Sequence, residues 1–494
     1  MHNFNCYIKP HGKFQTELKV KYPVSDSKSN YRLELYLFSP KVLSVDRKNY
    51  GVKNFLTDLR IMTRISTPDL VFSRITDSDC KESPLLRIRK EMARLADGRK
   101  GRPQRVLYEL RTLSSIVRVQ MRKNRDFLTK KIDTEDPMLL TGWLNDFADQ
   151  LEKFLDSFRK LNPLFIGPEI DEQLNLAFDW TDESISLNVQ REVGMMLRLC
   201  SDRKETAGCY SKLSEIIEDE IVHRESKEYL TGVRVPDKRS IGEMIVYREN
   251  VLKKWSQSAM YLNVKRSRAP ARVGQIIAGA AAAAAMTFAV VATILTNQFF
   301  PANSTAWALA AVIAYIFKDR IKETLRSGLK TLMPSLVPDR MVVLKDASVQ
   351  KRCGMTKSFV EFMSASDVPE HISAARGLGG KPFLDFLPAE NVIRYRHDVA
   401  LDGRKFFKNH ERMESVTEII RLELHKFMQL MDDPDQVYFY TDKSAIKKKR
   451  LRRVYHLNII VAMSDRGRRP SKLLHYRIVL NRDGIVRIEK DRRD

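Results

Sequence analysis

The feature that most constrains this chain is a pair of apolar segments spanning 273–317, bracketed on both sides by lysines and arginines. From Ile276 to Leu295 there is no charged residue, and roughly 20 apolar residues rising ~1.5 Å each cross ~30 Å of hydrocarbon. The second segment, Ala306 to Phe317, is shorter, so it reaches across only if Lys318 and Arg320 snorkel back to the headgroups. Between them, Thr296 to Thr305 holds the helix breaker Pro301, serine and asparagine suited to cap the next helix, and aromatics suited to a water interface. The pattern predicts a two-helix transmembrane hairpin. The competing reading is a buried helical pair in a soluble protein, favoured by the weakly hydrophobic run Ala280 to Ala285.

Charge orients the hairpin. Lys265, Arg266, Arg268 and Arg272 precede the first segment and Lys318, Arg320, Lys322, Arg326 and Lys330 follow the second, while the link carries neither lysine nor arginine. By the positive-inside rule both termini are expected on the cytoplasmic side of a plasma membrane or bacterial-type inner membrane. Cys6, Cys80, Cys200, Cys209 and Cys353 show neither metal-ligand spacing nor the density of a disulfide framework, which fits a reducing compartment. The first residues lack the basic-then-apolar pattern of a secretory signal.

The expected fold class is an α+β membrane protein, predominantly helical, with antiparallel strands near both termini. Four regions are expected: 1–75 as a β-hairpin plus helix, 84–266 as a cytoplasmic helical region, 273–317 as the membrane hairpin, and 318–494 as an α+β domain with a basic β-meander. Phe14, Thr16, Leu18, Val20 and Tyr22 alternate with polar residues, as do Leu33, Leu35 and Leu37, and the polar link Ser25 to Asn30 suggests that these two strands pair. An amphipathic helix is expected near Val52 to Met62, and four to six antiparallel helices in the region after Pro84. Lys318 to Leu329 has the pattern of an amphipathic helix lying on the bilayer. Val416, Ile420, Leu424 and Phe427 predict a helix over Glu414 to Met431, followed by strands at Val437 to Tyr440, Val454 to Met463, Leu474 to Leu480 and Ile485 to Ile488. With both ends on one side of the membrane, the first and last sheets are free to meet in one composite domain.

The net charge of +24 is concentrated: residues 443–494 hold 17 lysines and arginines against 5 acids. Their densest part is Lys447, Lys448, Lys449, Arg450, Arg452 and Arg453, expected as an exposed loop between strands and as a binding surface for anionic lipid or an acidic protein partner. The same run also serves simply to blunt a sheet edge. Neighbouring Tyr438, Phe439, Tyr440, Tyr455 and Tyr476 keep nucleic acid in view as a partner, since aromatic faces stack bases. In the first apolar segment Gly274, Ala278, Gly279 and Ala283 place small residues where helices approach closely, which points to packing within the hairpin or to a homo-oligomer.

Motifs for catalysis are incomplete, and no catalytic residue, cofactor or metal is expected. Glu220 and His223 form a Glu-x-x-His that lacks the second copy a two-metal bundle requires, so a solvated charged face is expected there. Gly377 to Lys381 resembles a phosphate loop, but Pro382 stands where Ser or Thr would hold magnesium. His397, Asp398 and Asp402 are an acid/base group only if the fold converges them, and Cys353 beside Arg352 is a candidate low-pKa thiol. The expected function is a membrane-anchored cytoplasmic scaffold or interaction protein. The alternatives are a self-associating membrane effector or pore and a membrane-tethered nucleic-acid-binding protein.

Overall fold

The computed structural model describes residues 5–96, 101–168, 170–201, 207–229, 239–301, 304–332, 337–346, 351–377, 390–407, 410, 412, 414–442, 445–465 and 472–490. The chain opens with β1 (Asn5–His11) and β2 (Gln15–Pro23), joined by a three-residue turn in which Gly12 takes φ 71°. β3 (Lys28–Pro40), α1 (Gly51–Asp58), β4 (Leu59–Ile65) and α2 (Phe72–Thr76) follow. Six helices come next: α3 (Pro84–Ala96), α4 (Pro103–Lys131), α5 (Pro137–Arg159), α6 (Glu172–Cys200), α7 (Ala207–Ser226) and α8 (Arg239–Gln257). Their starts obey capping chemistry: Asp136 accepts from the Met138 N–H with Pro137 in the first turn, and Asp171 accepts from Gln173.

After β5 (Asn263–Arg266) come the long helices α9 (Ala269–Phe299) and α10 (Thr305–Leu332), packed against each other. The chain then forms β6 (Arg340–Lys345), β7 (Arg352–Met363), α11 (Glu370–Arg376), β8 (Glu390–Asp402), α12 (Gly403–Phe407), β9 (Ser415–Glu423) and α13 (His425–Met428). It ends with β10 (Asp435–Asp442), β11 (Ala445–Arg452), β12 (Tyr455–Asp465), β13 (Lys472–Asn481) and β14 (Gly484–Lys490). Helices and antiparallel sheets make this a mixed α+β fold.

The two ends of the chain share their sheets. An eight-stranded sheet runs β14-β13-β12-β3-β8-β7-β6-β5 and a four-stranded sheet runs β1-β2-β9-β4. The long strand β3 is therefore bordered by β12 and β8, strands more than 350 residues away in sequence. Tyr22, Leu33, Tyr395, Val416 and Leu457, drawn from both sheets, belong to one core cluster. The other face of the larger sheet is covered near α11, where Ile372 and Val368 meet Tyr36, Phe38, Val392 and Ile460. This explains why β12 is buried on both faces from Leu457 to Ser464.

Three local expectations are corrected. β2 and β3 do not pair with each other; they lie in different sheets, because alternation says which face a residue takes but not which strand it joins. Residues 414–431 are not one helix: β9 occupies most of them, between β2 and β4. A spacing of four, as in Val416, Ile420 and Leu424, satisfies both a period of 2 and one near 3.6, and the β-branched run Val416, Thr417, Ile419, Ile420 favours the strand. The amphipathic helix expected after Val52 likewise stops at Asp58 and passes into β4. The turns expected at Thr231 to Pro236 and at Lys381 lie outside the described residues.

Glu17 ties β1, β2 and β9 together. It is buried, accepts from Arg421 Nε at 2.8 Å and lies 3.5 Å from both Lys9 and Lys19. Burial pushes its carboxyl up, but the Arg421 hydrogen bond with Lys19 and Lys9 outweighs that, and the net position is below the ordinary 4.5. Its stabilisation is therefore fully present above 4.5 and is lost as pH falls through the lower folded value. Glu17→Gln is expected to cost about 1–2 kcal/mol at neutral pH, with the gap in melting temperature from wild type closing in strong acid.

The helical region docks on the sheets through α4. Arg412 donates both Nη2 contacts to Glu109 at 2.8 and 2.7 Å, and His410 lies between the Tyr108 hydroxyl and the Asp346 carboxylate, 2.8 Å from each.

Candidate anionic-surface interface

β10 and β11 form a two-stranded ribbon outside both sheets, so the six cations lie on and just beyond a strand rather than in a loop as expected. Every residue of both strands is exposed. The register pairs Tyr440 with Lys447, Tyr438 with Lys449, Phe439 with Lys448 and Val437 with Arg450. Directly opposed residues share a face, so one face carries Phe439, Val437, Ile446, Lys448, Arg450 and Arg452, and the other carries Tyr438, Tyr440, Leu451, Lys447 and Lys449. Each face thus mixes cations with apolar side chains.

The base of the ribbon is fastened and its body is not. Arg453 N–H donates to the Pro434 carbonyl at 2.8 Å, its guanidinium lies 3.0 Å from Asp432, and the Tyr455 hydroxyl donates to Asp432 at 2.8 Å. Lys447 pairs with Asp442, and Arg450 lies 3.7 Å from Asp435. Lys448, Lys449 and Arg452 make no ion pair among the described residues; Lys448 and Lys449 lie opposite Phe439 and Tyr438, and Arg452 lies opposite Asp435.

The apolar segments form α9 and α10, but only one helix, Arg272–Phe299, is long and apolar enough to cross a membrane among the described residues. The expected second span falls short because α10 has 13 residues, 305–317, before Lys318, Asp319 and Arg320. Lys318 folds back over the Tyr315 ring at 3.7 Å, and the helix continues straight on to Leu332, so the segment after Phe317 is not a separate helix. At the turn, Ser304 Oγ caps α10 by accepting from Trp307 N–H at 3.1 Å, and Trp307 Nε1 donates to Asn297 Oδ1 at 2.7 Å. Both helices present apolar surface outward: Ile276 is 70% exposed, Phe299 76% and Leu309 64%. A helix in the core of a soluble protein would have these covered. The buried alanines of α9 are Ala281 and Ala285; Gly279 and Ala283 are exposed, Ala278 is partly buried, and a Cβ added at Gly274 or Gly279 would meet open space.

The remaining candidates resolve into structural networks. Glu220 and His223 are not a solvated face. Glu220 is buried and lies 2.8 Å from Arg159 on α5, and His223 Nε2 lies 2.6 Å from Asp182 on α6. Around them Arg224 donates to the Ser186 hydroxyl at 2.6 Å, Arg248 to Glu183 at 3.0 Å and Arg125 to Glu192 at 2.6 Å, a lattice of ion pairs and hydrogen bonds between helices whose carboxylates are buried. No group of side chains suited to a metal occurs among the described residues.

His397 and Asp398 do not converge, since neighbours on a strand face opposite ways. Asp398 takes Arg32 at 2.7 Å, whereas His397 points into the core, 3.0 Å from Ser358 Oγ and Tyr395 OH and 3.1 Å from Glu418. All four of these groups are fully buried, so the Ser358-His397-Glu418 contact pins β7, β8 and β9 together rather than meeting a substrate. The gap left between the sheets is apolar and about 30 Å³, room for roughly one water. Cys353 is also buried, and burial pushes its thiol up to about 12, the reverse of an activated nucleophile. Gly377 caps α11 in the left-handed region at φ 63°, and the loop after it lies outside the described residues.

The ribbon's clustered cations and aromatics, and the strand at Val437 to Tyr440 within β10, were legible in the sequence; β11 was not, because lysine and arginine runs carry no strand period. Comparison of the chain with protein-family models, with curated proteins and with solved structures finds no match in any of the three.

Proposed function

We propose that this chain is a membrane-anchored scaffold or interaction protein, which uses the β10–β11 ribbon to hold an anionic surface. The observation that carries the reading is the ribbon itself, exposed on both faces, with Lys448, Lys449 and Arg452 outside any ion pair among the described residues and Lys448 and Lys449 opposite Phe439 and Tyr438. Cations near an anionic leaflet gain about 1 kcal/mol each, and aromatic side chains favour the interface between headgroups and water.

Sheet topology supports a two-span anchor. β5 precedes α9, β6 follows α10, and the two are paired in one sheet. A folded sheet sits on one side of a bilayer, so if α9 crosses, the chain must cross back before Arg340. The 13 apolar residues of α10 cover ~20 Å at ~1.5 Å each, and Lys318 snorkelling makes up part of the remainder. Chain direction also supports the arrangement: β5 ends, β6 begins and β12 begins toward the same end of the eight-stranded sheet, so hairpin and ribbon leave it in the same direction. The basic flanks assign that side to the cytoplasm.

The test places an environment-sensitive fluorophore on Thr441→Cys of the full chain; Cys6, Cys80, Cys200 and Cys353 are buried. In nanodiscs, anionic lipid is expected to shift the emission to the blue relative to neutral lipid. Identical emission in both would contradict the reading.

A second reading is favoured by the pairing of Tyr438, Phe439 and Tyr440 with Lys449, Lys448 and Lys447. A two-stranded ribbon fits the major groove of DNA, ~12 Å wide, and aromatic faces stack on single-stranded bases. It requires oligonucleotide binding whose logarithm falls linearly with the logarithm of salt concentration; absence of binding at low salt removes it.

A further inference from the structure

A second cluster of unpaired charge lies away from the ribbon, where the sheet meets the candidate membrane helix. Lys265 and Arg266 end β5, Arg268 caps α9 and Arg272 lies in its first turns. Together with Ser267 and Val343 they line a cavity of about 520 Å³, a size suited to a small ligand.

The cavity is held by backbone pairing. Lys265 and Arg266 sit opposite Val343 and Val342 of β6, and the Ser267 N–H donates to the Met341 carbonyl at 2.8 Å. None of the four cations forms an ion pair among the described residues, although ion pairs hold the charged groups of the bundle. Lys265 lies opposite Val343 and shares its face, whereas Arg266, opposite Val342, takes the other face of the sheet with Arg340; the like charges of Lys265, Arg268 and Arg272 around one concavity repel each other unless an anion joins them. Arg340, half-buried just across β6, donates to the Leu59 carbonyl at 3.3 Å and adds positive charge behind the site.

Location narrows the anion. Arg272 is the first residue of the span Arg272–Phe299, so the cavity lies at the depth of the headgroups once α9 is inserted. We propose that this cavity binds the phosphate headgroup of one anionic phospholipid, with Lys265, Arg268 and Arg272 as its cationic ligands. Arginine suits this task because its planar fork bonds a phosphate with two parallel N–H donors. The free N–H groups at the start of α9 add to the attraction. The proposal rests on the membrane reading of α9 but not on the ribbon.

The test is native mass spectrometry of the full chain released from detergent, followed by titration of the delipidated protein. Wild type and the ribbon variant Lys448→Gln/Lys449→Gln/Arg452→Gln are expected to retain one anionic phospholipid. Arg268→Gln/Arg272→Gln is expected to lose at least about tenfold in occupancy, and Lys265→Gln repeats the test outside the helix should the first variant fail to fold. Equal retention in the folded variants overturns the site. Saturation by inorganic phosphate as tight as by an anionic lipid overturns the lipid assignment in favour of a free anion. Loss of lipid in the ribbon variant alone moves the binding to the ribbon and also overturns the site.

Discussion

Neutralising Lys448, Lys449 and Arg452 together is expected to weaken the hold of the ribbon on an anionic bilayer by about 100-fold, from ~1 kcal/mol for each charge. In the Thr441→Cys fluorescence assay this appears as loss of the blue shift at lipid compositions where the wild type shows it fully. The effect falls on these three because Lys447, Arg450 and Arg453 already share their charge with Asp442, Asp435 and Asp432. Stability is expected to change little, since the ribbon is exposed throughout and makes its main contacts within itself. A variant that keeps the blue shift places the interaction with the aromatics instead, and Phe439→Ser with Tyr438→Ser would then remove it.

The largest expected loss of stability is at Asp182. Its carboxylate is buried and meets Arg159 Nε at 3.4 Å, His223 Nε2 at 2.6 Å and the Tyr229 hydroxyl at 3.4 Å. Burial, with the charges of Asp182 and Asp179, raises the Tyr229 phenol far above its usual range, so this group is a neutral donor at any physiological pH. Asp182→Ala leaves His223 without its carboxylate partner, while Arg159 keeps Glu220 at 2.8 Å and the Tyr229 hydroxyl keeps Asp179 at 3.2 Å. Losing a charged acceptor from a buried network costs about 2–3 kcal/mol, which corresponds to a fall of roughly 5–10 °C in the melting temperature of a domain this size. Asp182→Asn keeps the shape and one acceptor oxygen and is expected to cost less. Equal melting of Asp182→Ala and wild type would show that the lattice contributes nothing net.

What could be read from the chain, and what could not, follows from the physics of each signal. The long uncharged run of α9 and the three- and four-residue spacing of α4 and α5 are strong, local patterns, as are the short apolar runs of β12 and β13, which are buried on both faces. The pairing of β2 with β9 and both pairings of β3 are not local: β3 reaches β12 only after the helices and both apolar segments have intervened, and alternation is silent on pairing. β9 was masked by a spacing common to both periods. The buried lattice was missed for a different reason. Charged residues at helical spacing, such as Glu220, His223 and Arg224, look the same whether they face water or face polar and charged partners on the next helix. The cations at the foot of α9 were legible as orientation signals, but the cavity between them depends on β5 meeting β6 across both long helices.

The central claim is that the two long helices carry the chain out and back, leaving the composite sheet and its ribbon on one side. It is tested most directly by labelling single cysteines at Thr305, the first residue of α10 after the turn, and at Thr441, in the ribbon, with a membrane-impermeant thiol reagent. In sealed vesicles of one orientation the account predicts that the reagent reaches only one of the two sites, and that reversing the vesicles exchanges them. Labelling of both sites from the same face, in vesicles shown to be intact, would contradict it.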